Sequence, residues 1–444
     1  MTRGLIFLLV VFPALHARSL WAQPAPIRLT VVDAVARAFE TSHRLAEARA
    51  RQAGAEATVR VRQTADRPTA SASAGYSRTN HVEEFGIPQP NSSVRLLYPD
   101  IPDNVVTRFG VQWPIYTAGR ADALERSAAA EASAIRLDID ATRGDLRLET
   151  VRAYWAVATA IEATRVIEES VARADAQLND ARQRLAAGLV PPSDVLSFQA
   201  QRSGDEVRLI EARNLYESSL IDLRRLIGAD PDAPIELVDS LVPAAPTPDS
   251  GRPAATLVEE ALGRRPERQA LTLRIGGAEE RERAAAAGNK PTLGFAGGVD
   301  YARPNPHIFP RSGEWRTSWD LSVNVNWPIF DAGRTKAEVS EAQAAVVAAR
   351  ERLADLDETV AAEVRQRALD LRSAEAAVRA AEDGVSAAAE ARRVVGDRFA
   401  AGVATSTDML VAQEALLNAE LVRARGLASV RLAEARLARA LGRP

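Results

Sequence analysis

"VQWPIYTAGRADA" (residues 111–123) and "VNWPIFDAGRTKA" (residues 325–337) are one junction written twice, 214 positions apart. Side chains alternate in polarity before each copy and lose that alternation after it. In residues 317–327, "TSWDLSVNVNW", Trp319, Leu321, Val323, Val325 and Trp327 share one face, while Ser318, Asp320, Ser322, Asn324 and Asn326 share the other. That is the period of a strand, whose successive side chains point to opposite sides. Ahead of the first copy, Val105, Thr107, Phe109, Val111 and Trp113 oppose Arg108, Gly110 and Gln112 in the same way. After each junction, residues 118–187 and 332–401 contain no proline and run through Ala-rich stretches broken by Arg and Glu. Each predicts a helix of about 70 residues, a rod of roughly 105 Å at 1.5 Å per residue. No globular domain buries a rod of that length, so it must pack along other rods.

The repeat extends on both sides of the junction. "RLAAGLVPPSDVL" (184–196) returns as "RFAAGVATSTDML" (398–410), again at 214, and Gly228 returns as Gly442. Upstream, Pro68 and Pro291 are 223 apart, so the first copy is nine residues longer before its Trp, a surplus expected in a loop. The predicted organisation is a leader over 1–22, a first repeat over 23–228, a Pro-rich linker over 229–254 and a second repeat over 255–444. In the first repeat, strands are expected near 69–79 and 104–116, a long helix over 118–187, a turn over 188–192 and a return helix over 193–227. In the second, helices are expected over 255–287, strands near 292–302 and 316–329, a long helix over 332–401, a turn over 402–406 and a return helix over 407–441. Six prolines between Pro231 and Pro253 exclude helix from the linker, because each removes a donor and fixes φ.

The leader "MTRGLIFLLVVFPALHARSLWAQ" has Arg3, an apolar core and small residues suited to cleavage, which is a secretory signal. Cleavage after Ala22 removes Arg3 and Arg18 and takes the net charge from −3 to about −5. A chain without basic excess offers no electrostatic case for nucleic acid. It has no cysteine, which excludes thiolate metal sites, disulfides and a lipid-bearing N-terminal Cys. No later window is apolar enough for a spanning helix, so an exported chain of this kind is either soluble or a β-barrel. The polar strand faces favour the barrel, since a water-filled lumen suits them. So does the placing of Trp113, Trp319 and Trp327, with Tyr116 and Phe330, where an interfacial girdle of aromatics would lie. Four strands cannot close a barrel in lipid, so the chain must assemble with copies of itself.

The doubled turn reads as the capping chemistry of a helical hairpin. Gly188 and Gly402 suit the left-handed position that ends a helix. Ser193 and Thr407 suit the N-cap of the next helix, with Asp194 and Asp408 in its first turn. Both turns fall at the same end of the rods, some 100 Å from the strands. There they present Leu189, Val403, Leu196 and Leu410 together with the acids.

Doubled "WPI[YF]-x-AGR", "R[LF]AAG" with [ST]-D-x-L, and "[DN]-x-P-T" ahead of the strands, in this order, resemble the TolC-like outer membrane efflux (outer membrane factor) family from about Ile27 to Gly442. The resemblance implies a homotrimer in the outer membrane, four strands per chain forming a twelve-stranded barrel that continues as a periplasmic tunnel of helices. It implies a passive exit duct of a tripartite system, served by an inner-membrane transporter through a periplasmic adaptor that docks on the tip turns. It also implies a constriction at Asp408, with Ser193 and Asp194 at the positions of latch partners. This chain departs from the family at the latch: Phe399, Ala404 and Val411 stand where a Tyr, an Arg and a second gate Asp are usual. A closed tip is therefore expected to rest on apolar packing and a ring of Asp408. No cofactor, metal or catalysis is expected, because His43, His81 and His307 show no ligand spacing. The alternative from another class is a soluble periplasmic coiled-coil scaffold, which independence from detergent would reveal.

Overall fold

The computed structural model describes residues 26–90, 93–243 and 247–443, so the leader predicted over 1–22 lies outside the described residues. The chain opens with strand β1 (Ile27–Leu29) and helices α1 (Val31–Thr41) and α2 (His43–Arg62). Strands β2 (Thr69–Arg78), β3 (Phe85–Pro88), β4 (Val94–Tyr98) and β5 (Asp103–Tyr116) lead into helix α3 (Arg120–Ala186) and its return α4 (Pro192–Leu226). After strand β6 (Ile235–Leu237) the order repeats as α5 (Ala254–Arg264), α6 (Pro266–Ala286), β7 (Thr292–Arg303), β8 (Arg316–Asn326), α7 (Arg334–Ala400) and α8 (Ser406–Ala440).

The WPI[YF]-x-AGR junction owes its sharpness to two consecutive left-handed residues. Ala118 and Gly119 have φ of 55° and 79°, Ala332 and Gly333 have 53° and 86°, and each Gly is the N-cap of a 67-residue helix. A left-handed alanine costs about 1–2 kcal/mol, and local bonds hold it. In the first copy the Ala121 amide donates to Thr117 Oγ1 (3.3 Å). In the second the Gly333 and Thr335 amides donate to the two carboxylate oxygens of Asp331 (3.0 and 2.8 Å). The Trp before each junction closes the other side: Trp113 Nε1 donates to the Asp66 carbonyl (2.8 Å), and Trp327 Nε1 to that of Asn289 (3.1 Å). The end of each strand is thereby tied to the chain leaving the helix before it.

Four strands form one antiparallel sheet in the order β2-β5-β7-β8, with β2 and β8 as free edges. One face carries Phe109, Val111, Val299, Trp319, Leu321, Val323 and Val325, all exposed. The surplus of the first copy is not a plain loop. It folds as the β3–β4 hairpin, in which Phe85 opposite Tyr98 and Pro88 opposite Val94 belong to two strands too short for a window of ten to show. The linker also carries more structure than its prolines suggest, with a 3₁₀ turn at Pro248–Gly251 and β6 paired in parallel with β1.

The rods pack laterally. Leu45 of α2 and Leu226 of α4 bury against Ile139 and Leu146 of α3, so α2 and α4 share one lane beside it. Around the middle of the rods α1, β1, α5 and β6 form a belt. Leu29 and Ala34 pack on Val151, Tyr154 and Trp155 of α3, while Leu257 and Ala261 pack on Val360, Val364 and Leu371 of α7. Tyr154, fully buried, accepts from the Asp239 amide and donates to the Leu29 carbonyl (3.0 Å each), and burial pushes its phenol up to about 12. Among the described residues no helix is long and apolar enough to cross a membrane.

Candidate functional site: the tip turns and the polar sheet face

Gly188 and Gly402 end α3 and α7 with φ of 72° and 74°, the conformation an L side chain resists. The starts of the return helices differ from expectation. Ser193 and Thr407 lie inside α4 and α8 and cap nothing. Pro191 is the N-cap of α4 without a side-chain bond, because its ring has no acceptor, and Pro192 at the first helical position presets φ for the helix. Thr405 caps α8 in a reciprocal box: the Asp408 amide donates to Thr405 Oγ1 (3.2 Å), and Asp408 Oδ2 accepts from the Thr405 amide (2.9 Å) and hydroxyl (2.8 Å). Those bonds hold the Asp408 carboxyl below the usual carboxylate range. The sequence signal for this cap is the T-x-x-D spacing of Thr405 and Asp408, which begins ahead of Thr407.

The two tip turns are joined by Asp194 and Phe399 through partners, Ser406 and Phe198, that the sequence pattern did not single out. Ser406 Oγ donates to Asp194 Oδ1 (3.2 Å). Phe399 meets Phe198 edge to face at 5.9 Å, with the Arg184 guanidinium 5.3 Å from the Phe399 ring centre. Higher up, Arg208 of α4 pairs with Glu414 of α8 through two bonds (2.7 and 2.9 Å), which holds the Glu414 carboxyl down, and Arg173 reaches Glu420 at 3.4 Å. Leu189, Val403, Leu196 and Val411 are exposed, whereas Leu410 packs against the Phe198 cluster.

At the opposite end, the polar face of the sheet gathers charge. Arg108 of β5 extends over Gly298, where a Cβ would come within 2.8 Å of its guanidinium. It bridges Asp300 of β7 (2.7 Å) and Asp320 of β8 (2.8 Å). His307 Nε2 stands 3.8 Å from Asp300, so ligand-type atoms of Asp300, His307 and Asp320 lie within 4.8 Å of one another. Spacing along the chain gave no sign of this meeting, which the sheet register and the β7–β8 loop create. Arg108 pairs with both acids, so the group is an ion-paired cluster in which two carboxylates share one positive charge. Trp113, Trp319, Trp327, Tyr116 and Phe330 are all well exposed, four of them at the junctions described above.

The sequence matches the outer membrane efflux protein family over residues 34–229 and 257–443, nearly the whole described chain. The chain belongs to that family. It is an outer-membrane family of channels rather than of enzymes. Outer membrane protein TolC of Vibrio cholerae serotype O1 is 27% identical over 280 residues, covering 63% of this chain and 63% of that protein. The TolC of Escherichia coli K12 is 27% identical over 293 residues, covering 63% of this chain and 58% of that protein. The match thus spans less than two thirds of either relative. Among solved structures, the outer membrane protein VceC from Vibrio cholerae superposes with a TM-score of 0.77 at 20% identity, covering 93% of this chain and 96% of that one. That likeness is one of fold: long helical rods continuing from a sheet.

Proposed function

We propose that the chain is the outer-membrane exit duct of a tripartite efflux or secretion system, a homotrimer that passively conducts substrate delivered from an inner-membrane transporter through a periplasmic adaptor. The observation that carries the reading is the open four-stranded sheet. Its exposed apolar face, polar opposite face and two unpaired edges are those of one third of a closed barrel, because lipid tolerates no free strand edge. Three copies supply twelve strands. The rods give the same answer, since α4 exposes Val207, Ile210, Leu215 and Ile221 on one flank of the protomer and α7 exposes Val347, Leu369 and Val394 on the other. In this reading the exposed aromatics at the junctions face the membrane interface. The tip turns, with Gly188, Leu189, Leu196, Gly402, Val403 and Leu410, receive the adaptor.

Asp408 is the constriction charge, with one carboxylate oxygen committed to Thr405 and the other turned to the pore. Asp194 is held by Ser406, and Ser193 and Thr407 line the mouth. The missing Tyr and Arg of the family latch are replaced by Phe399 on Phe198 and by the Ser406–Asp194 and Arg208–Glu414 ties. Labelling tests the duct. In this cysteine-free chain, single cysteines at Leu321 and Val323 should react with a lipid-soluble maleimide, and those at Ser322 and Asn324 with a water-soluble one. Equal aqueous labelling of all four would rule out the barrel. In planar bilayers the wild-type channel should be blocked by divalent cations, and Asp408→Ala should lift the block by tenfold or more; unchanged block removes Asp408 from the gate.

A further inference from the structure

Two adjoining cavities, of about 390 and 320 Å³, lie beside the belt where α3 meets the C-terminal segment after α8. They share a wall of Gly144, Arg147, Arg439 and Arg443. Phe39 of α1 and Pro266 of α6 line the first chamber, and Val151 and Trp155 line the second. The other arginines at this site are spoken for, Arg264 by Glu260 (3.0 Å) and Arg431 by Glu434 (3.6 Å) among them. Arg439 lies flat on Gly144, where a Cβ would stand 2.9 Å from its Cδ, and pairs with Asp145 (2.8 Å) and Glu267. Arg443 is held by Asp249 (2.5 Å) and Glu260 (2.9 Å), and Arg143, on the rim of the first chamber, by Asp140 (2.9 Å). Arg147 has no hydrogen-bond or ion-pair partner among the described residues. The exposed Arg147 guanidinium, with its five donors, therefore stands free in the wall that the two chambers share.

We propose that these chambers bind a small organic anion, its carboxylate or similar head on Arg147 with Arg143 beside it and its apolar body, of aromatic-ring size, in a chamber. The planar fork of arginine matches a carboxylate through two parallel bonds, which selects an oxyanion over a point charge. Arg143, Arg264, Arg439 and Arg443 are each matched by an acid, so among the described residues Arg147 is the one uncompensated charge lining the first chamber, which favours an anion over a cation. Apolar walls leave the far side of a bare phosphate or sulfate unsolvated, which favours a head attached to an apolar body. The volumes are those of small-molecule sites. The Glu434 carboxyl of the second chamber is faced by Arg431 at 3.6 Å, which offsets the charge that would repel an anion. A ligand here would touch α1, α3, α6, α8 and the C-terminal segment, tying the two repeats together.

The full-length protein in lipid nanodiscs, titrated with 4-fluorobenzoate and followed by 19F line width, tests the site against the neutral 4-fluorobenzamide. Saturable broadening by the benzoate is expected, with binding at least tenfold weaker for the benzamide. Arg147→Ala should weaken benzoate binding about tenfold or more with an unchanged melting profile, and Arg147→Lys should recover part of the loss. Equal broadening by benzoate and benzamide, no saturable binding to the wild type, or an unchanged affinity in Arg147→Ala overturns the proposal. Displacement of benzoate by an equal concentration of inorganic phosphate overturns its organic part.

Discussion

Helices α3 and α7 are equal in length, start from the same left-handed Ala–Gly pair and end at the same left-handed glycine, yet they differ in burial. Twenty residues of α3 are buried against eight of α7. α3 has α2 and α4 on one side and α6 and α8 on the other, while α7 has neighbours on one side only. Two equivalent stretches of sequence thus occupy an inner and an outer lane. What separates them is the position of each repeat in the protomer, and the outer lane marks where the protomer stops.

The strongest way to break this comparison is to place a charge in each lane. Val157 of α3 is fully buried and Leu369 of α7 is half-exposed. Val157→Asp leaves an unpaired charge in the packed core, a loss of roughly 4 kcal/mol or more, and should abolish recovery of folded protein. Leu369→Asp should leave helix content by circular dichroism intact but dissociate the trimer in native mass spectrometry. A trimeric Leu369→Asp protein would mean that the outer flank of α7 is not an interface.

The belt sharpens the comparison through pH. Arg443, aided by Arg252, holds the Glu260 carboxyl at about 2, below its usual 4.5. A depressed carboxyl stabilises the folded state fully above its unfolded value and loses that contribution as pH falls toward the folded one. Thermal melts should therefore show acid destabilisation between about pH 4.5 and pH 2, blunted in Glu260→Gln. At pH 7 the same substitution should cost on the order of 1–2 kcal/mol. The linker of the second repeat depends on these ions, whereas the strand of the first repeat hangs on the Tyr154 hydroxyl.

The smallest expected effect separates the two tips. Thr405→Ala removes a reciprocal cap worth about 1 kcal/mol and should speed amide exchange in the first turn of α8. Ser193→Ala removes no cap, and exchange at the start of α4 should not change. Equal effects at both tips would show that the capping difference is not real.

The fold class was legible because its signals are local and long. Alternation in 317–327, two proline-free stretches of about 70 residues and the doubled glycine turns each arise from the backbone geometry of a single element. Short or contingent features were not legible. The β3–β4 hairpin is too brief to carry a period, and β1 pairs with β6 across some 200 residues. At the candidate site Asp408 could be singled out by its place in a repeated motif. Ser406, Phe198 and Arg208 could not, because their meaning comes from a neighbour in the other hairpin.

By itself the amino-acid sequence determined the repeat, the strand and helix periods and the turns, since sterics and hydrogen bonding act over a few residues. It also determined that such rods need partners, since their length outruns any core one chain can build. Only the tertiary structure decided which rod is inner and which outer. It alone decided that Arg108 would pair with both Asp300 and Asp320, and that Arg147 would be left without a partner among the described residues. These are outcomes of lateral register between distant segments, and no local preference encodes them.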